Sequence, residues 1–94
     1  MYVILVYDIS DTASKNGSRV LRNVYKICKK YLTHIQNSVF EGELSQAQLL
    51  KLKHELNVHL RSEEDSCIVF YGRSTKWMNK EFFTKKIEDN PQFI

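Results

Sequence analysis

Two segments of this chain, Tyr2–Tyr7 and Cys67–Tyr71, are apolar on both faces of a strand; the first sets Val3, Leu5 and Tyr7 against Ile4 and Val6. A strand of that kind must be covered twice, once on each side of its sheet. Only two segments have helical periodicity, and two helices cover one face of a small sheet. At 94 residues the chain is one domain, burying roughly 60–65% of the surface its unfolded form exposes. A second copy of the chain is the economical cover for the remaining face, so a homodimer packed through its sheets is expected.

The order of elements can be read along the chain. Tyr2–Tyr7 is β-branched and aromatic, stops at Asp8 and gives way to the polar, glycine-containing stretch Ser10–Gly17, which predicts a strand and then a loop. From Ser18 onward Val20, Leu21, Val24, Ile27, Cys28 and Tyr31 recur with helical spacing, with Arg19, Arg22, Lys26, Lys29 and Lys30 on the complementary side. His34–Glu43 carries Ile35, Val39 and Phe40 among polar residues and predicts a second strand region, with a bulge or bend expected at Gly42. Ser45 and Gln48 form an S-x-x-Q capping box, flanked by Leu44 and Leu49 as its staple, ahead of Leu52, Leu56 and Leu60. After the acidic turn Glu63-Glu64-Asp65, Ser66–Tyr71 predicts a buried strand ending at Gly72.

If the second strand region folds back as a hairpin, the order becomes β-α-β-β-α-β. That is an α+β ferredoxin-like sandwich, an antiparallel sheet with two helices on one face. Residues 74–94 form a tail: Trp77 and Met78 are placed to close the core, Glu81–Ile87 reads as an edge strand that can pack on the dimer partner, and Pro91 forbids a regular continuation.

Charge is distributed unevenly. Between Thr12 and Phe40 lie Lys15, Arg19, Arg22, Lys26, Lys29 and Lys30 with no Asp or Glu, whereas the whole chain has a net charge of only +3. A solvated helix face usually interleaves glutamates to make i, i+4 pairs. A face of one sign implies a compensating polyanion, and these six residues are the candidate nucleic-acid contacts.

Asp8 is the candidate catalytic and metal-binding residue, because it ends a strand otherwise devoid of charge and precedes the basic helix. A cap for the following loop or helix is the competing reading. One carboxylate is a thin ligand set for magnesium, and a two-fold dimer would supply a second Asp8.

Other chemistry lacks support. His34, His54 and His59 have no metal-ligand spacing, and no nucleophile-elbow, Walker or dinucleotide motif is present. Cys28 and Cys67 sit inside apolar periodic segments and read as reduced core thiols. The N-terminal apolar run is too short for a signal peptide, and no stretch approaches the roughly 20 apolar residues of a membrane helix. A cytoplasmic protein without a membrane partner is expected.

Tyr7-Asp8-Ile9 after an apolar strand, Arg19-x-x-Arg22-x-Val24 opening a basic helix, Gln36–Gly42 in the second strand region and Asp65-Ser66 before the third resemble the CRISPR-associated Cas two family, the small subunits of spacer-acquisition machinery in antiviral defence. The resemblance implies a ferredoxin-like homodimer, with Mg2+ or another divalent cation such as Mn2+ held between the two copies of Asp8. It further implies metal-dependent endonuclease activity on RNA or duplex DNA, and the CRISPR integrase subunit as a partner. A non-catalytic scaffold, in which the basic faces grip a duplex while the integrase does the chemistry, is the alternative. A ligand-sensing regulatory module is disfavoured by the basic helix and the lack of a glycine-rich loop. The family commonly has Arg where this chain has His34, which carries charge only partly at neutral pH.

Overall fold

In the computed structural model, which describes residues 1–10, 16–73 and 81–84, the chain forms β1 (Tyr2–Asp8), α1 (Gly17–Tyr31), β2 (Thr33–Gln36), β3 (Val39–Glu43), α2 (Gln46–His59) and β4 (Ser66–Gly72). The sheet order is β2-β3-β1-β4, with every neighbouring pair antiparallel. This is the ferredoxin-like α+β fold, in which β3 is inserted between β1 and β2 and the two helices pack together. Among the described residues no helix is long and apolar enough to cross a membrane.

β1 lies in the interior of the sheet between β3 and β4, whereas β4, expected from its apolar run to be a buried strand, is an edge strand with none of its residues buried. Val3, Leu5 and Tyr7 point toward the helices and are buried, joined by Phe40 of β3 opposite Leu5 and by Val20, Val24, Cys28, Leu52 and Leu56 from the helices. Tyr7 stacks on Phe40 with ring centroids 5.9 Å apart, and Tyr25 meets Phe40 edge-on at 5.6 Å. The opposite face carries Tyr2, Ile4 and Val6 of β1, Val39 and Glu41 of β3, and Ile68 and Phe70 of β4. Ile68 and Phe70 are more than half exposed, so this apolar face remains open.

α2 starts as its sequence signals. The Ser45 hydroxyl accepts from the Gln48 amide at 3.1 Å, and the Gln48 side chain accepts from the Ser45 amide at 2.9 Å. Leu44 is buried and Leu49 packs against the core, completing the staple. α1 lacks a side-chain cap at its start, but Lys29 and Lys30 in its last turn complement the helix dipole.

The bulge or bend expected at Gly42 falls elsewhere. The β2–β3 turn is at Asn37 and Ser38, where Asn37 takes the left-handed region with φ 43°, and the bulge lies between His34 and Gln36. Asn adopts that region more readily than other side-chain-bearing residues, since its short amide can bond locally. Gly42 lies within β3 opposite Val3 and serves close approach: a Cβ there would sit 3.0 Å from the Leu32 Cδ2. Of the edge strand expected over Glu81–Ile87, Glu81–Thr84 form no strand. Trp77, Met78 and residues 85–87 lie outside the described residues.

Phe40 is fully buried and touches rings from β1, β2 and α1, so its truncation leaves a cavity that three elements cannot jointly fill. Phe40→Ala is expected to cost about 3–5 kcal/mol, read as a shift of the urea midpoint at unchanged slope.

Candidate nucleic-acid interface and strand-end carboxylate

α1 turns its cations outward because its apolar residues occupy the opposite arc. Arg19, Arg22, Lys26, Lys29 and Lys30 are exposed, whereas Val20, Val24 and Cys28 are buried. Residues 19, 22, 26 and 29 follow one another at three- and four-residue steps and so form a stripe, roughly 15 Å long at the rise of a helix. Among the described residues none of these four makes an ion pair.

Lys30 differs. Its Nζ donates to the Glu55 Oε1 of α2, and the Tyr31 hydroxyl donates to Oε2 of the same carboxylate. Hydrogen bonds from Lys30 and Tyr31 hold Glu55 below the usual carboxylate range, and the bond to Glu55 raises Lys30. The compensating glutamate comes from the neighbouring helix rather than from i, i+4 spacing, so the free stripe is Arg19, Arg22, Lys26 and Lys29. Lys15 lies outside the described residues.

Asp8 is exposed at the end of β1, opposite Ser66. Strand alternation places it on the open face after Tyr2, Ile4 and Val6. Among the described residues its carboxylate has no hydrogen-bond or ion-pair partner, although the backbone around it is tied on both sides. Upstream, the Tyr7 amide donates to the Ser38 carbonyl at 3.2 Å. Downstream, the Ser10 amide donates to the Asp65 Oδ1 at 3.1 Å.

Asp65, which by sequence ends an acidic turn and belongs to the Asp65-Ser66 element of the resemblance, with no partner expected for it, forms a cluster with Arg61. Its carboxylate is fully buried and accepts from the Arg61 amide at 2.9 Å, Nε at 2.9 Å and Nη2 at 2.8 Å, besides Ser10. The same Nη2 donates to the Ser10 carbonyl. The Arg61 guanidinium and these backbone donors hold the Asp65 carboxyl below its ordinary range despite burial. The available signal was the four-residue spacing of Arg61 and Asp65, but their reach to Ser10 needs the fold.

His34 turns inward. It is buried, its ring lies 4.9 Å from Phe40, and its Nε2 donates to the Asn37 carbonyl at 2.7 Å, closing the β2–β3 turn. A side chain so placed is turned away from solvent, so His34 has a structural task in closing the β2–β3 turn. Cys28 and Cys67 are free thiols, both pushed up by burial. His54 is exposed on α2, whereas His59 is half-buried. An apolar groove of about 390 Å³ between α2 and β4, with Lys53 and Asn57 as its polar lining, opens on the helix side of the sheet. Asp8 faces the other side.

Among the described residues no three His, Cys, Asp or Glu side chains come together as a metal cage. One chain therefore offers a single hard oxygen donor, Asp8, at the strand end. A second strand end brought against the open face would double it.

Three comparisons bear on this arrangement. The family model for CRISPR associated protein Cas2 matches residues 1–80. The chain is 46% identical over 94 residues, all of its length and 87% of the relative's, to a protein of Fusobacterium nucleatum subsp. nucleatum named CRISPR-associated endoribonuclease Cas2. It is 40% identical over 81 residues to a like-named protein of Dictyoglomus turgidum, covering 86% of this chain and 85% of that one. Its fold is similar to the crystal structure of Streptococcus pyogenes Cas2, with a TM-score of 0.72, 30% identity, and coverage of 87% of this chain and 99% of that one.

The Asp65 carboxylate is held below its unfolded value, so its contribution to stability is present above the unfolded pKa, about 3.9, and is lost as pH falls through the lower folded value. Asp65→Asn is accordingly expected to lower the thermal midpoint at pH 7, with the difference from wild type shrinking below about pH 4. Parallel melting curves between pH 7 and 3 measure it; a difference independent of pH would show that ionisation of Asp65 is not involved.

Proposed function

Since the chain belongs to the CRISPR-associated Cas2 family, we propose that it is a metal-dependent endonuclease that cleaves phosphodiester bonds, with RNA as the first substrate to test. It works as a homodimer within the cytoplasmic spacer-acquisition machinery of antiviral defence, beside the CRISPR integrase subunit. The observation that carries this reading is the position of Asp8: an exposed carboxylate at the end of β1, without a partner among the described residues, on the apolar face that a second copy would cover.

The donor chemistry suits magnesium. That ion takes one or two carboxylates, keeps several waters and shares substrate phosphate oxygens, so Asp8 from each protomer would hold it. When bound, it supplies a Lewis acid for the phosphate and lowers the pKa of an attacking water. The chain's own residues bind and orient. Arg19, Arg22, Lys26 and Lys29 hold the phosphate backbone as fixed cations, with Lys15 before them in sequence and Lys30 lending its charge to the Glu55 pair. Their grip is independent of base sequence, because phosphates carry none. Ile4, Val6, Ile68 and Phe70 exclude water from the dimer seam beside which the paired carboxylates stand.

A second reading is favoured by one specific observation. The cation stripe belongs to a helix packed on one face of the sheet, while Asp8 points to the other. A subunit that grips duplex DNA on its helical flank and leaves the chemistry to the integrase accounts for that separation.

Asp8→Asn decides between these readings, since it keeps the shape of the side chain and removes the charge an ion needs. The variant is expected to sediment as wild type does, at about twice 11.1 kDa, to bind RNA within about twofold of wild type, and to lose magnesium-dependent cleavage entirely. Cleavage persisting in highly purified Asp8→Asn protein would remove the catalytic assignment.

The triple variant Arg19→Ala, Arg22→Ala, Lys26→Ala addresses the grip. Because each neutralised phosphate releases bound counterions, the slope of log affinity against log salt is expected to flatten by about one unit for every phosphate no longer neutralised, for RNA and DNA alike. An unchanged slope would make the stripe a solvated face.

A further inference from the structure

We propose that Arg61 and Asp65 are positioning residues for Asp8, acting through the backbone of Ser10 rather than by touching the ion or the substrate; this inference rests on the reading of Asp8 given above. Ser10 is gripped at both its polar backbone atoms. Its amide donates to the Asp65 Oδ1, and its carbonyl accepts from the Arg61 Nη2, which also donates to that same Oδ1. The two residues that do the gripping are four apart at the α2–β4 turn, more than fifty residues along the chain from Ser10. Two positions before Ser10, strand pairing with β4 ends at Asp8 opposite Ser66, the residue that follows Asp65. The exit of β1 is thereby locked to the entry of β4, with Asp8 between this lock and the Tyr7–Ser38 bond.

The geometry is more specific than stability requires. A carboxylate with no exposed surface that receives four N–H donors is costly to bury, and the Arg61 Nη1 is itself buried without a partner among the described residues. Such a cluster is a poor net stabiliser compared with an apolar plug of similar volume. What it supplies is one fixed backbone path immediately after Asp8. A free carboxylate on a frayed strand end would sample many orientations, whereas paired carboxylates can share an ion only when both are held. The planar fork of Arg is needed for this task, because a lysine ammonium is a point donor and cannot span the carboxylate and the Ser10 carbonyl with the same geometry.

The test compares wild type with Arg61→Lys and Arg61→Gln in the full chain, using protein labelled with 13C at aspartate carboxyls and the Asp8→Asn variant to assign the Asp8 resonance. In Arg61→Lys, which keeps the charge beside Asp65 and so keeps the fold, amide exchange at Ser10 is expected to accelerate and the Asp8 carboxyl resonance to shift or broaden. Mn2+ affinity and kcat on RNA are expected to fall about 10- to 100-fold, with KM little changed, and Arg61→Gln is expected to follow in the same direction. A lowered thermal midpoint with an unaltered Asp8 resonance and unaltered Mn2+ affinity would mean the cluster is only structural, and would overturn the proposal. If wild type cleaves no RNA, the nuclease reading falls and the Asp8 resonance decides alone: dependence on Arg61 upholds the positioning role, and independence overturns it.

Discussion

The hydrogen-bonded pairing of β1 between β3 and β4 is the constraint on which the rest of this structure depends. Because β1 is flanked on both edges, its alternation dictates two surfaces. Val3, Leu5 and Tyr7 organise the helix-covered core, and Tyr2, Ile4 and Val6 with Ile68 and Phe70 build an apolar surface that the chain leaves partly exposed. The strand's last residue, Asp8, inherits its orientation from the same alternation. Core, open face and carboxylate are therefore not separable features; a one-residue slip of β1 would exchange all three.

Much of this was legible from residue pattern. The apolar arc of α1, the capping box at Ser45 and Gln48, and the doubly apolar β1 each report a local rule and appear where expected, whereas Ser66–Tyr71, expected as a buried strand, lies at the sheet edge with no residue buried. What pattern could not supply depends on partners distant in sequence. Gly42 suggests backbone freedom, yet its role is space for the Leu32 side chain, which only the packing reveals. The turn uses Asn37 instead, an αL-tolerant residue that a strand pattern masks. At the candidate site, Asp8 and the exposed stripe could be named from the sequence, whereas the Glu55 partner of Lys30 and the tie from Arg61 and Asp65 to Ser10 could not. Both join elements that become neighbours only after folding.

Cation stripe and carboxylate also differ in what they demand of the chain. The stripe needs only a helix, since fixed charges several ångströms from a flexible backbone tolerate small displacements and act through a field screened over about 10 Å at 0.1 M salt. Under the proposed function, a carboxylate that is to hold an ion would need its position fixed far more closely. The fold meets the two demands differently, placing the cations on the solvent side of α1 and Asp8 at a strand end tied to both the β2–β3 turn and the α2–β4 turn.

The two thiols give the molecule a pair of internal clocks. Cys28 is fully enclosed by the core, while Cys67 lines the groove between α2 and β4, and burial keeps both from ionising readily. A thiol must become a solvated thiolate before it reacts with an alkylating reagent. The rate at which Cys28 is modified therefore reports opening of the whole core, and the rate at Cys67 reports the lesser event of α2 lifting from β4. Their ratio measures, in the unaltered chain, how independently that flank of the sandwich breathes.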